Sequence, residues 1–295
     1  MPAIMGFIGL GVMGGNMARN LAKKYELIVY DRDHSRLSML TGLGVRGAGS
    51  VEEIGRTADT VFLSLPDSEA VRQVIEGTGG LAETLKKGSV IIDTGTTEPA
   101  VIQRLAAMLS GRGIELLDAP VSGGEKGARE GNLAFMVGGP EHVFERCRGL
   151  LASMGTSIIR VGESGMGQVA KLVNNLIVGA TFAAVAEGFA LGVKSGLHPR
   201  VLFDAIRNGW AGSRVLEVSA PAMIERNFQP GGTVNGILKD MGYALSLGKE
   251  QDVPLPVISL VHEIFKAAKA SGAGNLAQPV VVTLWEKILG IEVKG

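Results

Sequence analysis

The stretch AIMGFIGLGVMGGNMARNLAKKYELIVYD, residues 3–31, decides the fold. Residues 3–8 are a short apolar run of strand length. Gly9-Leu10-Gly11-Val12-Met13-Gly14 follows, a G-x-G-x-x-G sequence, and then Gly15–Ala22 with helical character. A second apolar strand, Leu27–Tyr30, ends on Asp31, 22 residues after Gly9. In a chain with 43 glycines the glycine motif alone is weak evidence. Strand, glycine loop, helix, strand and acid in this order is the dinucleotide-binding pattern, with the acid near the expected spacing of roughly 20 residues. Gly9 suits the tight turn, Gly11 lets backbone approach a pyrophosphate, and Gly14 allows close packing of helix on strand. Free N–H groups at the helix start then face the phosphates. Asp31 can accept hydrogen bonds from both ribose hydroxyls of NAD and repels the 2′-phosphate of NADP. Arg32 could pair with that phosphate or stack on adenine. NAD is therefore the expected cofactor, with NADP left open.

Outward from this unit, strands and helices alternate. Helices are expected over 51–57, 68–75 and 99–110, and strands over 60–65, 89–93, 113–118, 132–139 and 156–162. Strands separated by helices imply a mostly parallel, doubly wound sheet. Ligands bind at the carboxyl ends of such strands. The ends here are Gly9–Gly14, Asp31, Leu65-Pro66, Thr96 and Ser122-Gly123-Gly124, which should border one crevice. The Ser122–Gly124 turn could hold a carboxylate through backbone N–H groups and the serine hydroxyl, or be an ordinary loop.

The stretch GMGQVAKLVNNLIVGATFAAVAEGFALGVKSGL, residues 165–197, reads as one long helix. It is apolar on most faces, so burial on all sides is expected. Lys171, Asn174 and Asn175 near its start share a face. A lysine on a buried helix needs a partner or a task, unless it snorkels to the surface. Beyond it the chain reads as helix: 199–208, 215–225, 235–250, 255–271 and 278–289. The expected architecture is an α/β Rossmann domain over 1–163 and an all-helical domain over 164–295. The long helix opens the second.

At 295 residues, 46% of them hydrophobic, the chain suits one large domain or two smaller ones and can build a core. Lys+Arg and Asp+Glu balance at 29 each, which argues against a general nucleic-acid or acidic-membrane surface. The polar residues within the long helix, and the lack of a second such span, argue against a membrane protein. The N-terminus has no basic signal region. The single cysteine, Cys147, fits a reducing compartment, and the expected location is cytoplasmic. The four histidines are scattered, so no metal site is expected. With a nicotinamide carrying the hydride, the protein supplies orientation and a proton donor. Lys171 is the candidate, since burial beside the nicotinamide could lower a lysine pKa from about 10.4 toward neutrality.

Taken together, GFIGLGVMGGNMARNL at 6–21, LPDS at 65–68, DAPVSGGEKGAREGNLAFMVGG at 118–139, GQVAKLVNN at 167–175 and Lys239-Asp240 resemble the β-hydroxyacid dehydrogenase family. The resemblance covers essentially the whole chain. It implies a homo-oligomer, a dimer or tetramer through the helical domains, acting on a small carboxylate substrate. It implies that Lys171 is the catalytic acid/base, that Ser122, Gly123 and Gly124 hold the substrate carboxylate, and that Asn175 touches the substrate with Asn174 nearby. It places Thr96 and Lys239 at the cofactor. Residues 210–216, 225–231 and 284–293 resemble the tartronate semialdehyde reductases of the family, which implies reduction of that aldehyde to D-glycerate. Enzymes of 3-hydroxyisobutyrate, L-threonate or succinate semialdehyde, or a non-catalytic dinucleotide-binding protein, are the alternatives. The chain departs from the family pattern at Gly95, where serine is usual, at Trp210 and over Gly232–Gly236.

Overall fold

The computed structural model describes residues 4–229 and 231–295. Ala3 of the expected first strand run and Pro230 of the 225–231 segment lie outside the described residues. The chain divides into two compact units, Met1–Lys171 and Leu172–Gly295.

The first unit opens with β1 (Met5–Ile8), α1 (Val12–Ala22) and β2 (Leu27–Tyr30), as residues 3–31 predict. A 3₁₀ turn, His34–Leu37, leads into α2 (Ser38–Thr41) and β3 (Arg46–Gly47). Then come α3 (Val51–Thr57), β4 (Thr60–Leu63), α4 (Ser68–Glu76), α5 (Leu81–Thr84), β5 (Val90–Asp93), α6 (Pro99–Ser110) and β6 (Glu115–Asp118). The helix starts have local causes. Ser50 caps α3 by accepting from the Glu53 N–H, and Asp67 caps α4 by accepting from Ala70. Pro99 occupies the first turn of α6, where its missing N–H costs nothing. The unit closes with β7 (Val121–Ser122), α7 (Gly124–Glu130), β8 (Leu133–Gly138), α8 (Glu141–Leu151) and β9 (Gly155–Gly162).

Six strands run parallel in the order β3-β2-β1-β4-β5-β6, the order of dinucleotide-binding domains. The order reverses between β1 and β4, so the glycine loop after β1 and Leu65 after β4 stand at the switch point. Strand β8 runs antiparallel to β6 and β7, and β9 pairs parallel with β8. Alternation along the strands fills two cores. Met5, Phe7, Phe62, Ile92 and Leu117 pack in one, and Ile8, Val61, Leu63, Ile91 and Leu116 in the other. With a side-chain period of two, these are the two faces of the sheet, both buried. Cys147 lies buried in the first of these cores.

The long helix is α9 (Met166–Lys194), and the division between the units falls within it. The second unit continues with α10 (Pro199–Ile206), α11 (Arg214–Ile224), α12 (Val234–Glu250) and α13 (Pro256–Ala268). Its last helix is α14 (Val282–Leu289). Phe189, Leu216, Met223, Met241, Phe265 and Val281 form its core. The expected helix 255–271 ends in a π turn around Gly272, whose φ is +94°. The expected helix 278–289 begins as a 3₁₀ turn with Pro279 in it.

One expectation is corrected. Helix α9 is not buried on all sides, because Val173, Ile177 and Leu191 are 51%, 64% and 70% exposed. With the exposed Ala184 and Gly188 they fall within about 60° of one another around the helix axis. Gln168, Lys171 and Asn175 occupy the opposite side. Apolar composition does not distinguish a face covered by the chain itself from one left bare. Among the described residues, α9 is also the one helix long and apolar enough to cross a membrane by length and composition.

Candidate active site

The glycine loop shows three different reasons for glycine. Gly9 has φ of +95°, and a β-carbon there would lie 2.3 Å from the Ser64 carbonyl oxygen. A β-carbon on Gly14 would lie 2.0 Å from the Gly9 oxygen, so close helix–strand packing excludes it. Gly11 is different. Its nearest neighbour in that direction is Arg36 Nη1 at 3.7 Å, and its φ is an ordinary −62°. Nothing inside the fold demands glycine at 11, so the open space suits an approaching ligand. Gly11 precedes α1 without a side-chain cap, and α1 has no acid in its first turn. The N–H groups of this helix start, with Leu10, Val12 and Met13 around it, fit a pyrophosphate.

Asp31 is buried, 5% exposed, and held firmly. Its Oδ2 accepts from the Leu10 N–H at 2.7 Å and its Oδ1 from the Asp33 N–H at 2.8 Å. The acid therefore ties the glycine loop to the end of β2. The guanidinium beside it belongs to Arg36, with Nη1 3.6 Å from Asp31 Oδ2 and Nε 3.3 Å from Asp33. Arg32 is exposed and is not part of this cluster. Sequence spacing favours the residue next to the acid, whereas the 3₁₀ turn over 34–37 folds the later arginine back onto it.

The remaining strand ends follow. Leu65 borders the loop, since a β-carbon on Gly9 would lie 3.2 Å from Leu65 Cδ2. Pro66 is exposed beside it. A β-carbon on Gly95 would lie 3.0 Å from the Leu65 oxygen and 3.2 Å from Asp93 Oδ1, so a serine here would be crowded. Thr96 follows, half-buried. The Ser122–Gly124 segment is more ordered than a loop turn. Ser122 ends β7, Gly123 precedes α7 and Gly124 opens it, with φ of +133° and +62°.

A buried polar network that sequence reasoning missed surrounds the start of α9. Asp93 and Asp118 are register partners at the ends of β5 and β6, both fully buried. Asp118 accepts from the Gly165 N–H at 2.8 Å and the Gln168 N–H at 2.9 Å. The Gln168 amide donates to the Gly95 oxygen at 3.0 Å and to Asp93 Oδ2 at 3.3 Å, and its Oε1 accepts from the Thr97 N–H at 3.0 Å. The Thr97 hydroxyl donates to Asp93 Oδ2 at 2.7 Å, and the Gly95 N–H to Oδ1 at 3.0 Å. Burial pushes the Asp118 carboxyl up to about 7, with the charge of Asp93 acting in the same direction and the backbone N–H donors opposing. Lys171 stands one turn beyond Gln168, half-buried. The signal for Gln168 was its place three residues before Lys171 in the same motif. For Asp93 and Asp118 it was an acid closing a strand, as at Asp31.

In the second unit, Asn175 is buried and its amide is fixed at both ends. Its Nδ2 donates to Asp240 Oδ2 at 2.5 Å, and its Oδ1 accepts from Asn174 Nδ2 at 2.9 Å. Lys239 Nζ lies 3.3 Å from Asp240 Oδ1, an oxygen that makes no hydrogen bond, and 5.3 Å from the Tyr243 ring centroid. Asp240, read from sequence only as half of a charged pair, thus joins Asn175 to Lys239. Among the described residues no group of acids, histidines or cysteines is arranged to hold a metal.

Residues 4–162 match the NAD binding domain of 6-phosphogluconate dehydrogenase, and residues 165–285 the NAD-binding domain of NADP-dependent 3-hydroxyisobutyrate dehydrogenase. The chain is 36% identical over 293 residues to the 2-(hydroxymethyl)glutarate dehydrogenase of Eubacterium barkeri, covering 99% of this chain and 97% of that protein. It is 36% identical over 282 residues to the 2-hydroxy-3-oxopropionate reductase of Escherichia coli (strain K12), covering 96% and 97%. Among solved structures it resembles the Mycobacterium tuberculosis 3-hydroxyisobutyrate dehydrogenase with L-serine. That match has a TM-score of 0.88 and 30% identity, covering 96% of this chain and 99% of that one.

Proposed function

The chain belongs to the 3-hydroxyisobutyrate dehydrogenase-like family of β-hydroxyacid dehydrogenases and is an NAD(P)-dependent oxidoreductase of hydroxy acids, and from that premise we propose that it reduces tartronate semialdehyde to D-glycerate with Lys171 as proton donor. The substrates in the relatives' names share a skeleton: a carboxylate, a substituted C2, and a C3 that alternates between alcohol and aldehyde. L-Serine has the same skeleton. The family members differ at C2, which carries hydroxyl, methyl or a carboxyethyl arm. The likeness of residues 210–216, 225–231 and 284–293 to the tartronate semialdehyde branch favours the small 2-hydroxyl.

When bound, the nicotinamide supplies a hydride to the C3 carbonyl carbon. Lys171 gives one proton to the C3 oxygen, so aldehyde, hydride and proton balance as the alcohol, and solvent restores the lysine proton. In the reverse direction the neutral amine takes the alcohol proton. Ser122, Gly123 and Gly124 hold the carboxylate. Asn175, with Asn174 and Asp240 fixing its amide, orients the substrate. Gly9–Gly14, Asp31, Leu65, Pro66, Thr96 and Lys239 serve the cofactor, with Arg36 taking the part expected of Arg32. NAD is preferred because Asp31 opposes a 2′-phosphate. The exposed apolar stripe of α9 supports a dimer or tetramer, and the single buried cysteine supports a cytoplasmic location.

The observation that carries this reading is the placement of Lys171 one turn beyond Gln168, on a helix start tied to the carboxyl ends of β5 and β6. The test is NADH oxidation with tartronate, methylmalonate and succinate semialdehydes. A kcat/KM of about 10⁴ M⁻¹s⁻¹ or more for the first, at least about tenfold above the others, is expected. Another ranking reassigns the substrate, and NADH binding without turnover favours a dinucleotide-binding protein.

A further inference from the structure

Helix α9 begins after Gly165, which has no side chain to cap it, yet the helix must hold Lys171 in register with the strand ends. The cap comes from elsewhere. The Asp118 carboxyl, at the end of β6, accepts hydrogen bonds from the N–H groups of Gly165 and Gln168. One cap of this kind fixes where a helix starts, but not its rotation about its own axis. The Gln168 side chain supplies that second constraint, with three hydrogen bonds to Asp93, Gly95 and Thr97 on the neighbouring strand end. Gly167 seats the same turn directly on backbone. A β-carbon there would lie 2.4 Å from the Met136 oxygen and 2.6 Å from the Asp118 oxygen.

We propose that Gln168, braced by Asp93, Thr97 and Asp118, is the positioning residue that sets the rotation of α9 and so the place of the Lys171 amine. The proposal rests on Lys171 being the proton donor. Gln168 and Lys171 are three residues apart, about 60° around the helix. A rotation of about 10° moves an atom about 6 Å from the helix axis by about 1 Å. A displacement of about 1 Å in a reacting group can lower the rate about 10²-fold. Gln168 is fully buried and its side chain is spent on Asp93, Gly95 and Thr97, so it acts through Lys171.

The test compares Gln168→Met, Thr97→Val and Thr97→Ser with wild type and with Lys171→Ala. The readouts are kcat and KM for the semialdehyde, the pH profile of kcat/KM, NADH affinity by fluorescence, and thermal melting. Gln168→Met should lower kcat about 10- to 100-fold while the NADH Kd changes less than about threefold. The limb of the pH profile that Lys171→Ala abolishes should shift. Thr97→Val, which removes only the hydroxyl bridge to Asp93, should give the same signature more weakly even if Gln168→Met does not fold, and Thr97→Ser should restore it. The proposal is overturned if the folded variants keep kcat and that limb unchanged, or if activity falls only in proportion to the folded fraction. If Lys171→Ala itself keeps turnover, the proton-donor reading fails instead, and the two failures are distinct.

Discussion

Replacing Gly11 and Gly14 separately by alanine tests whether the loop is shaped by the fold or by a ligand. At Gly14 the new methyl would lie 2.0 Å from the Gly9 oxygen and 2.9 Å from Ser64 Cβ. The Gly9 backbone on one side and Ser64, just past the end of β4, on the other leave no room to yield. Overpacking of this kind costs about 3 kcal/mol or more, a large share of a total stability of about 5–15 kcal/mol. At about 2–4 °C per kcal/mol, the melting temperature should drop by about 6–12 °C. At Gly11 the methyl meets only the end of Arg36, at 3.7 Å, with φ already at −62°. Losing a glycine's unfolded-state freedom stabilises by about 0.4–1 kcal/mol. A poorer N-cap offsets a similar amount. Melting should therefore stay within about 2 °C of wild type. The methyl would occupy the space for the pyrophosphate, so the NADH Kd should rise at least about tenfold, or about 1.4 kcal/mol. Scanning fluorimetry and NADH fluorescence titration read the two effects. A folded Gly11→Ala that binds NADH as tightly as wild type would refute the reasoning, as would a Gly11→Ala that melts like Gly14→Ala.

Three other substitutions probe the remaining claims. Arg36→Ala should lower kcat/KM with NADPH about three- to tenfold and leave NADH within about twofold, because it unmasks Asp31 toward a 2′-phosphate. An unchanged NADPH/NADH ratio in parallel assays would count against Arg36. Asp118 has its folded pKa raised from 3.8 to about 7, so the native state holds a proton that the unfolded chain releases. Its stabilising contribution is present below pH 4 and lost as pH rises to about 7. Asp118→Asn removes that dependence, so urea melts should show the wild-type minus variant stability falling by up to about 4 kcal/mol between pH 4 and 7.5. A constant or rising difference would contradict the burial argument. Ile177→Glu should shift the chain to monomer in size-exclusion chromatography, and a monomeric wild type would remove the oligomer claim.

The first half of the fold was legible because its signals are local. The glycine loop, the short apolar strand runs and the acid that closes β2 each depend on a few adjacent residues. Helix α8 was missed because its apolar face is short, with Val143, Phe144, Cys147 and Leu151 buried among Glu141, Glu145, Arg146 and Arg148. The reading of α9 as buried throughout failed because composition reports apolarity, not what covers it. The site divides the same way. Lys171, Asn175 and the glycine loop are visible as motif residues. Gln168, Asp118 and Asp93 act through contacts 47 to 75 residues apart in sequence. No spacing rule connects an acid at the end of β6 to a helix start six elements later. Arg36 was hidden by a turn that brings it back past Arg32.

The central claim is that Lys171 donates the proton, and kcat/KM of Lys171→Ala for the semialdehyde, measured beside its NADH affinity, tests it most directly. The account predicts a fall of about 10²–10⁴-fold with NADH binding within about threefold of wild type. Turnover within tenfold of wild type, in a folded protein that binds NADH normally, would contradict it.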